Sequence, residues 1–180
     1  LTVDEEVAVR DVQKSLRDEA LVDFLFSTGV RVGELAAMDI SNVDFAAGTV
    51  TFRGEKSDRF RTVILDARAK RHLASYLNSR ADNNPALFVT ERLYDGQPRR
   101  LKKDAIENIT KAVGRAAGLH KVLTVHVFRR TLATRLADKE CPLEVIQEIL
   151  GHRSPTTTKR YVAKNVTRIR RQAVRYMDAA

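Results

Sequence analysis

The feature that most limits how this 180-residue chain can fold is a change of hydrophobic period part-way along it. Up to Met38, and again from Asp66, apolar residues recur at three- and four-residue spacing, the period of a helix with one buried face. Between Thr49 and Leu65 they alternate instead. Thr49-Val50-Thr51-Phe52-Arg53 and Arg61-Thr62-Val63-Ile64-Leu65 read as two strands, and the polar link Gly54-Glu55-Lys56-Ser57-Asp58-Arg59-Phe60 makes them a β-hairpin with a basic tip. The pattern predicts an α+β fold: a mainly helical domain with a small antiparallel β-sheet.

Helix boundaries are written in capping residues. Thr2 with Glu5 three positions later has the form of a capping box, and Ser15 with Asp18 repeats it more weakly, so helices are expected to start at both. The second carries Leu16, Ala20, Leu21, Phe24 and Leu25 at helical spacing and stops at Gly29. A short helix follows from about Arg31 to Met38, then, beyond the hairpin, one from Asp66 to Ser79 ended by Asn83-Asn84-Pro85. Ala86-Leu87-Phe88-Val89-Thr90 is an apolar run that fits a third strand without excluding other readings. A loop at Asp95-Gly96-Gln97-Pro98 then leads into Arg99, Arg100, Lys102 and Lys103 and a helix to about Ala117. The rest reads as helices at His126 to Asp138, Pro142 to Leu150, Thr156 to Tyr161 and Val166 to Met177, with Pro142 suited to a first turn that needs no amide donor.

Thirty-two Lys and Arg against 23 Asp and Glu give a formal charge of +9, which points to a polyanionic partner, nucleic acid first. Residues 1 to 23 hold seven acids and three bases, so the excess lies further on, and Lys159 to Arg175 contain seven bases and no acid. With no Trp, a platform for stacking single-stranded bases is poorly supported. No apolar stretch approaches the ~20 residues that span a bilayer, and the first residues lack the pattern of a secretory leader, so neither membrane insertion nor secretion is expected. The single cysteine, Cys141, has no partner for an internal disulfide, which fits a reducing, intracellular setting. The first residue is Leu1 rather than Met, and a fragment or processed product is the expectation.

Three segments carry polar residues that packing alone would not demand: Thr28-Gly29-Val30-Arg31-Val32-Gly33-Glu34-Leu35, the hairpin tip, and His126-Val127-Phe128-Arg129-Arg130 with Leu150-Gly151-His152-Arg153 and Lys159-Arg160-Tyr161. Singly, each has a plain structural reading: a surface ion pair for Arg31 and Glu34, a helix cap or partly buried ring for His126, packing for Tyr161. Together and in this order they resemble the tyrosine recombinases, or phage integrase family, over essentially the whole chain as that family's C-terminal catalytic domain. The resemblance rests on an Arg in Thr-Gly-x-Arg-x-x-Glu-Leu, a Lys in a β-hairpin, His-x-x-Arg, Leu-Gly-His, and a Tyr nine residues past that last His. Arg130 stands where the family often has His, and the hairpin turn also departs from its pattern, leaving Lys56 to be preferred over Arg59 for the lysine role.

The resemblance implies a site-specific recombinase or integrase that cleaves and rejoins DNA through a 3′-phosphotyrosyl intermediate without a nucleotide or metal cofactor. Tyr161 would be the nucleophile, Arg31 and Arg129 would neutralise the non-bridging oxygens, His126 would be the base and Lys56 the general acid. His152 would bind or orient the phosphate, and Glu34 would support the Arg31 helix without reacting. Arg59, Arg99, Arg100, Lys102, Lys103, Arg153, Lys159 and Arg160 are the candidate DNA contacts. The implied partners are double-stranded DNA and further copies of the chain in a tetrameric synapse, with no membrane, in the cytoplasm, nucleoid-associated, of a prokaryotic or phage-infected cell. Residues 1 to 164 would form the catalytic domain and 165 to 180 a helical tail for a neighbouring protomer. A type IB topoisomerase-like enzyme, and a non-catalytic DNA-binding module in which Tyr161 merely packs, are the alternatives.

Overall fold

Both N-terminal capping signals form as the sequence predicts. Helix α1 (Val3–Asp11) begins with reciprocal bonds between Thr2 and Glu5, and α2 (Leu16–Thr28) begins where Ser15 accepts from the Asp18 amide at 3.3 Å. Helix α2 ends at Gly29, whose φ of 57° turns the chain into α3 (Val32–Ala37). The structure, a computed structural model, describes residues 1–54 and 60–151. A single 3₁₀ turn at Ile40–Asn42 leads to the sheet: β1 (Val43–Asp44), β2 (Thr49–Arg53) and β3 (Phe60–Ile64), antiparallel in that order. Then come α4 (Ala67–Ser79), β4 (Val89–Tyr94), β5 (Gln97–Arg100), α5 (Lys103–Ala116), α6 (Val125–Asp138) and α7 (Leu143–Leu150). The helices read at Thr156 to Tyr161 and Val166 to Met177 lie outside the described residues.

The strands depart from the sequence reading in two places: β1 supplies the third strand of the first sheet, and the 86–90 run does not join that sheet. The apolar run at 86–90 leads into a second two-stranded hairpin, and Asp95 and Gly96, at φ 53° and 77°, form its two-residue turn between the paired Tyr94 and Gln97. Positive φ at both central residues is the arrangement that matches the twist of paired strands, and Asp-Gly is a sequence suited to it. Gln97 and Pro98, expected in a loop, are therefore strand residues together with Arg99 and Arg100.

Helix α2 is the centre of the fold. Eight of its 13 residues are buried, including Leu21, Phe24, Leu25 and Phe26, as expected of a helix that is covered on every side. It packs on α4 and α6. The Phe26 and Phe128 rings meet edge to face at 4.6 Å, and Phe88 bridges Phe24 at 5.9 Å and Tyr76 at 5.5 Å. A smaller apolar cluster of Ala133, Ala137, Ile146 and Leu150 fixes α7 on α6.

The acidic N-terminal segment is used internally. Buried Asp23 bonds Arg10 of α1 at 2.7 Å and His72 of α4 at 2.6 Å, with Arg68 at 3.2 Å. Glu6 reaches Arg135 of α6 at 2.9 Å, and Glu5 reaches Lys121 at 2.8 Å. These carboxylates hold the helices together and leave the positive excess to the rest of the surface. Among the described residues no helix is long and apolar enough to cross a membrane.

Candidate active site

Helix ends assemble the site. The last turn of an α-helix leaves backbone carbonyls without intrahelical partners, and cations are favoured there. Gly29 closes α2 and Gly151 closes α7, both in the left-handed region at φ 57° and 61°. A Cβ on Gly29 would lie 3.0 Å from Leu132 and 3.2 Å from Leu150, so the end of α2 abuts both α6 and α7. The orphan carbonyls at this junction are met by two arginines.

Arg129, buried within α6, donates Nη1 to Gly29 O at 2.8 Å and Nη2 to Leu150 O. Arg31, at the entrance to α3, donates Nη2 to Gly151 O at 3.1 Å and Nη1 to Glu34 Oε1 at 2.9 Å. The two guanidinium groups therefore meet adjacent carbonyls, Leu150 and Gly151, although 98 positions separate them in the chain. The adjacent carbonyls of Leu150 and Gly151 thus hold two cationic groups side by side, an arrangement that favours an anion.

Glu34 fixes Arg31. One carboxylate oxygen takes the Arg31 side chain, and the other accepts the Arg31 backbone N–H at 2.8 Å, which ties the side chain to the start of its own helix. The Glu34 side chain is fully buried. His126 lies on the exposed first turn of α6, one turn before Arg129 and hence on a neighbouring part of the same helix face. Lys56, Arg59, His152, Arg153, Lys159, Arg160 and Tyr161 lie outside the described residues.

Of the candidate DNA contacts, Arg100 is already engaged: it donates to Met38 O at 2.7 Å and pairs with Asp39, tying β5 to the end of α3. Arg99 is exposed, lies 4.6 Å over the Tyr94 ring and pairs with Asp95 at 3.2 Å. Lys102 and Lys103 are exposed at the start of α5.

A residue that sequence reasoning passed over stands beside Arg31. Arg61 points inward from β3, where its neighbours of the same parity, Val63 and Leu65, are core residues. It donates Nη2 to Glu34 Oε2 at 2.8 Å and lies 4.8 Å over the Phe52 ring. Its Nε and Nη1 are buried with no hydrogen-bond partner among the described residues. Burial pulls its pKa down, Glu34 opposes that, and Arg31 adds to it. The available signal was an arginine in the apolar phase of a strand.

Structural comparison gives the class. The crystal structure of XerA recombinase superimposes with a TM-score of 0.83 at 34% identity, covering 98% of this chain and 62% of that one. The Tn1549 transposon integrase, at 19% identity and TM-score 0.79, shares the fold. Among curated relatives, tyrosine recombinase XerA of Pyrococcus furiosus is 34% identical over 146 residues, covering 81% of this chain and 50% of its own length. Tyrosine recombinase XerD of Staphylococcus aureus is 33% identical over 179 residues, covering 95% and 60%. Residues 2–168 match the Phage integrase family, and the chain belongs to that family. It spans about half to three-fifths of the length of these curated relatives.

Proposed function

We propose that this chain is the catalytic part of a site-specific DNA recombinase that cuts and rejoins double-stranded DNA through a 3′-phosphotyrosyl intermediate. The observation that carries the reading is the convergence of Arg31 and Arg129 on the carbonyls of Leu150 and Gly151, immediately before His152 in the chain. A phosphorus under attack gathers negative charge on its non-bridging oxygens. Two guanidinium groups held in advance by backbone carbonyls put positive charge where that negative charge develops, with little reorganisation.

In this mechanism the Tyr161 oxygen forms a bond to phosphorus while the bond to the 5′-oxygen breaks. The phenolic proton, held at a pKa near ~10 in a free tyrosine, passes to His126, and Lys56 delivers a proton to the departing 5′-oxygen. His152 binds a non-bridging oxygen. The reverse attack by a 5′-hydroxyl restores a phosphodiester and the free tyrosine, so bond energy is conserved. Residues 1–164 form the catalytic unit and 165–180 a tail that docks on a neighbouring protomer in a tetramer assembled on DNA. Arg99, Lys102 and Lys103 contact phosphates, and the protein works in the prokaryotic cytoplasm at the nucleoid. The names of its relatives, tyrosine recombinases XerA and XerD, support the reaction class.

The test is a nicked duplex whose sequence is selected from a random pool by retention on the protein. Wild type is expected to form an adduct that survives denaturing electrophoresis and disappears on protease treatment. Tyr161→Phe is expected to form none, and Arg31→Lys to form it on the order of 10²-fold more slowly. A wild type without an adduct, or an adduct that persists in Tyr161→Phe, overturns the proposal.

A further inference from the structure

We infer that Arg61 is a positioning residue for the cleavage step, acting through Glu34 on Arg31 and linking the hairpin that carries Lys56 to the helix end that precedes His152; the inference rests on the function proposed above. Three observations meet at this side chain. Glu34 is shared: Oε1 accepts from the Arg31 side chain and Oε2 from both Arg61 and the Arg31 backbone N–H, so the direction in which Arg31 holds its guanidinium depends on a carboxylate that Arg61 also holds. Arg61 also fills the space a side chain at residue 151 would need: a Cβ there would lie 2.4 Å from Arg61 Nη1 and 2.9 Å from its Cδ. The carbonyl of that same Gly151 accepts from Arg31. Strand β3, helix α3 and the end of α7 are thus clamped at one point.

Packing does not account for the choice of residue. Opposite Phe52, on a face that buries Val50 and Val63, an apolar side chain would fill the position without stranding a charge. Among the described residues two of this cation's buried nitrogens find no partner, and such a group costs stability. What it adds is a fixed geometry. Arg31 and Arg61 share one carboxylate, so the position Arg61 gives that carboxylate bears on where Arg31 points. Groups that orient a reacting residue in this way commonly change rates by ~10- to 100-fold without touching substrate.

The experiment is a cycle of Arg61→Met and Arg31→Lys, read as the single-turnover rate of adduct formation on the selected nicked duplex, with retention of the intact duplex measured alongside. Arg61→Met keeps length and apolar contact with Phe52 and removes the charge. It is expected to slow adduct formation ~10- to 100-fold while duplex retention changes less than ~3-fold, and to slow it less than ~3-fold further when Arg31 is already Lys. Arg61→Lys, which can still reach Glu34, is expected to recover part of the rate. Should Arg61→Met not fold, Arg61→Gln gives the second route: it removes the charge, keeps an N–H donor, and is expected to show the same dependence on Arg31, with adduct formation at the wild-type rate counting against the inference. Adduct formation at the wild-type rate in Arg61→Met, or an equal slowing with and without Arg31, overturns the inference while leaving the recombinase reading intact. Absence of an adduct in wild type overturns both.

Discussion

Replacing Arg129 with Met is expected to destabilise the fold far more than the same change at Arg31, before any chemistry is measured. Arg129 is 6% exposed and donates to two carbonyls at helix ends, Gly29 O and Leu150 O. Hydrogen bonds to a charged partner contribute ~1.5–3 kcal/mol each, and a buried acceptor left unpaired costs ~1–3 kcal/mol. Relief of the desolvation of a buried guanidinium offsets part of this, since methionine is comfortable in an apolar setting. The net cost is about 2–4 kcal/mol, a large share of the ~5–15 kcal/mol that holds a domain together. Arg31 has a side chain 29% exposed, so water can replace it at Gly151 O, and Glu34 keeps both Arg61 and a backbone N–H. Its loss is expected to cost ~1–2 kcal/mol. Urea denaturation followed by circular dichroism measures both. The expected result is an Arg129→Met midpoint clearly below that of Arg31→Met, with equal slopes. Equal midpoints, or Arg31→Met as the weaker protein, would refute the view that Arg129 doubles as the cap of two helices.

Gly114→Ala puts a Cβ 2.6 Å from Leu123 Cβ inside α5, and overpacking of ~1–3 kcal/mol is expected to outweigh the ~1 kcal/mol helix advantage of alanine, lowering Tm; a rise in Tm would count against it. Tyr76→Phe keeps the ring stacked on Phe88 but leaves the Val89 amide without its acceptor, an expected loss of ~1 kcal/mol by denaturant titration. The hydrogen bond from Arg80 holds the Asp82 carboxyl below its usual range, so its contribution is present above the unfolded value near ~3.9 and fades as pH falls through the lower folded value. Wild type is expected to lose stability more steeply than Asp82→Asn below about pH 4 in acid titration; parallel curves would remove Asp82 from the account.

What could be read from the sequence follows from how local each cause is. Caps at Thr2 and Ser15, the stop at Gly29 and the alternation at 49–53 each depend on residues within one turn or one strand, and each forms where expected. Strands β4 and β5 were legible only in part because residues 91–94 and 97–100 are mostly exposed on a two-stranded sheet that buries no face, so no alternation marks them. Asp95-Gly96 is the remaining signal, and by itself it fits a loop as well as a hairpin turn. Arg61 and Arg100 were obscure for another reason. Their partners, Glu34 at 27 residues' distance and Met38 at 62, are brought near by topology, and nothing local separates an inward arginine from a solvated one.

The same physics explains why the candidate reacting arginines were legible while their geometry was not. Each is recognisable by its place in a short motif, but their convergence depends on two helices, α2 and α7, ending at one junction. Guanidinium groups repel one another, and bringing two of them to neighbouring atoms is unfavourable unless something negative lies between. Here the intervening groups are the carbonyl ends of α2 and α7, which carry partial negative charge. Folding therefore creates the cationic site by the same contacts that cap the helices. The left-handed turns at Gly29 and Gly151 are what expose those carbonyls, with side-chain neighbours within 3.0 Å of where a Cβ would sit at both positions. A lysine at either arginine position could meet one carbonyl as a point charge. It lacks the planar fork that can hold backbone on one edge and keep N–H donors for an anion on another, which is why charge alone does not specify this site.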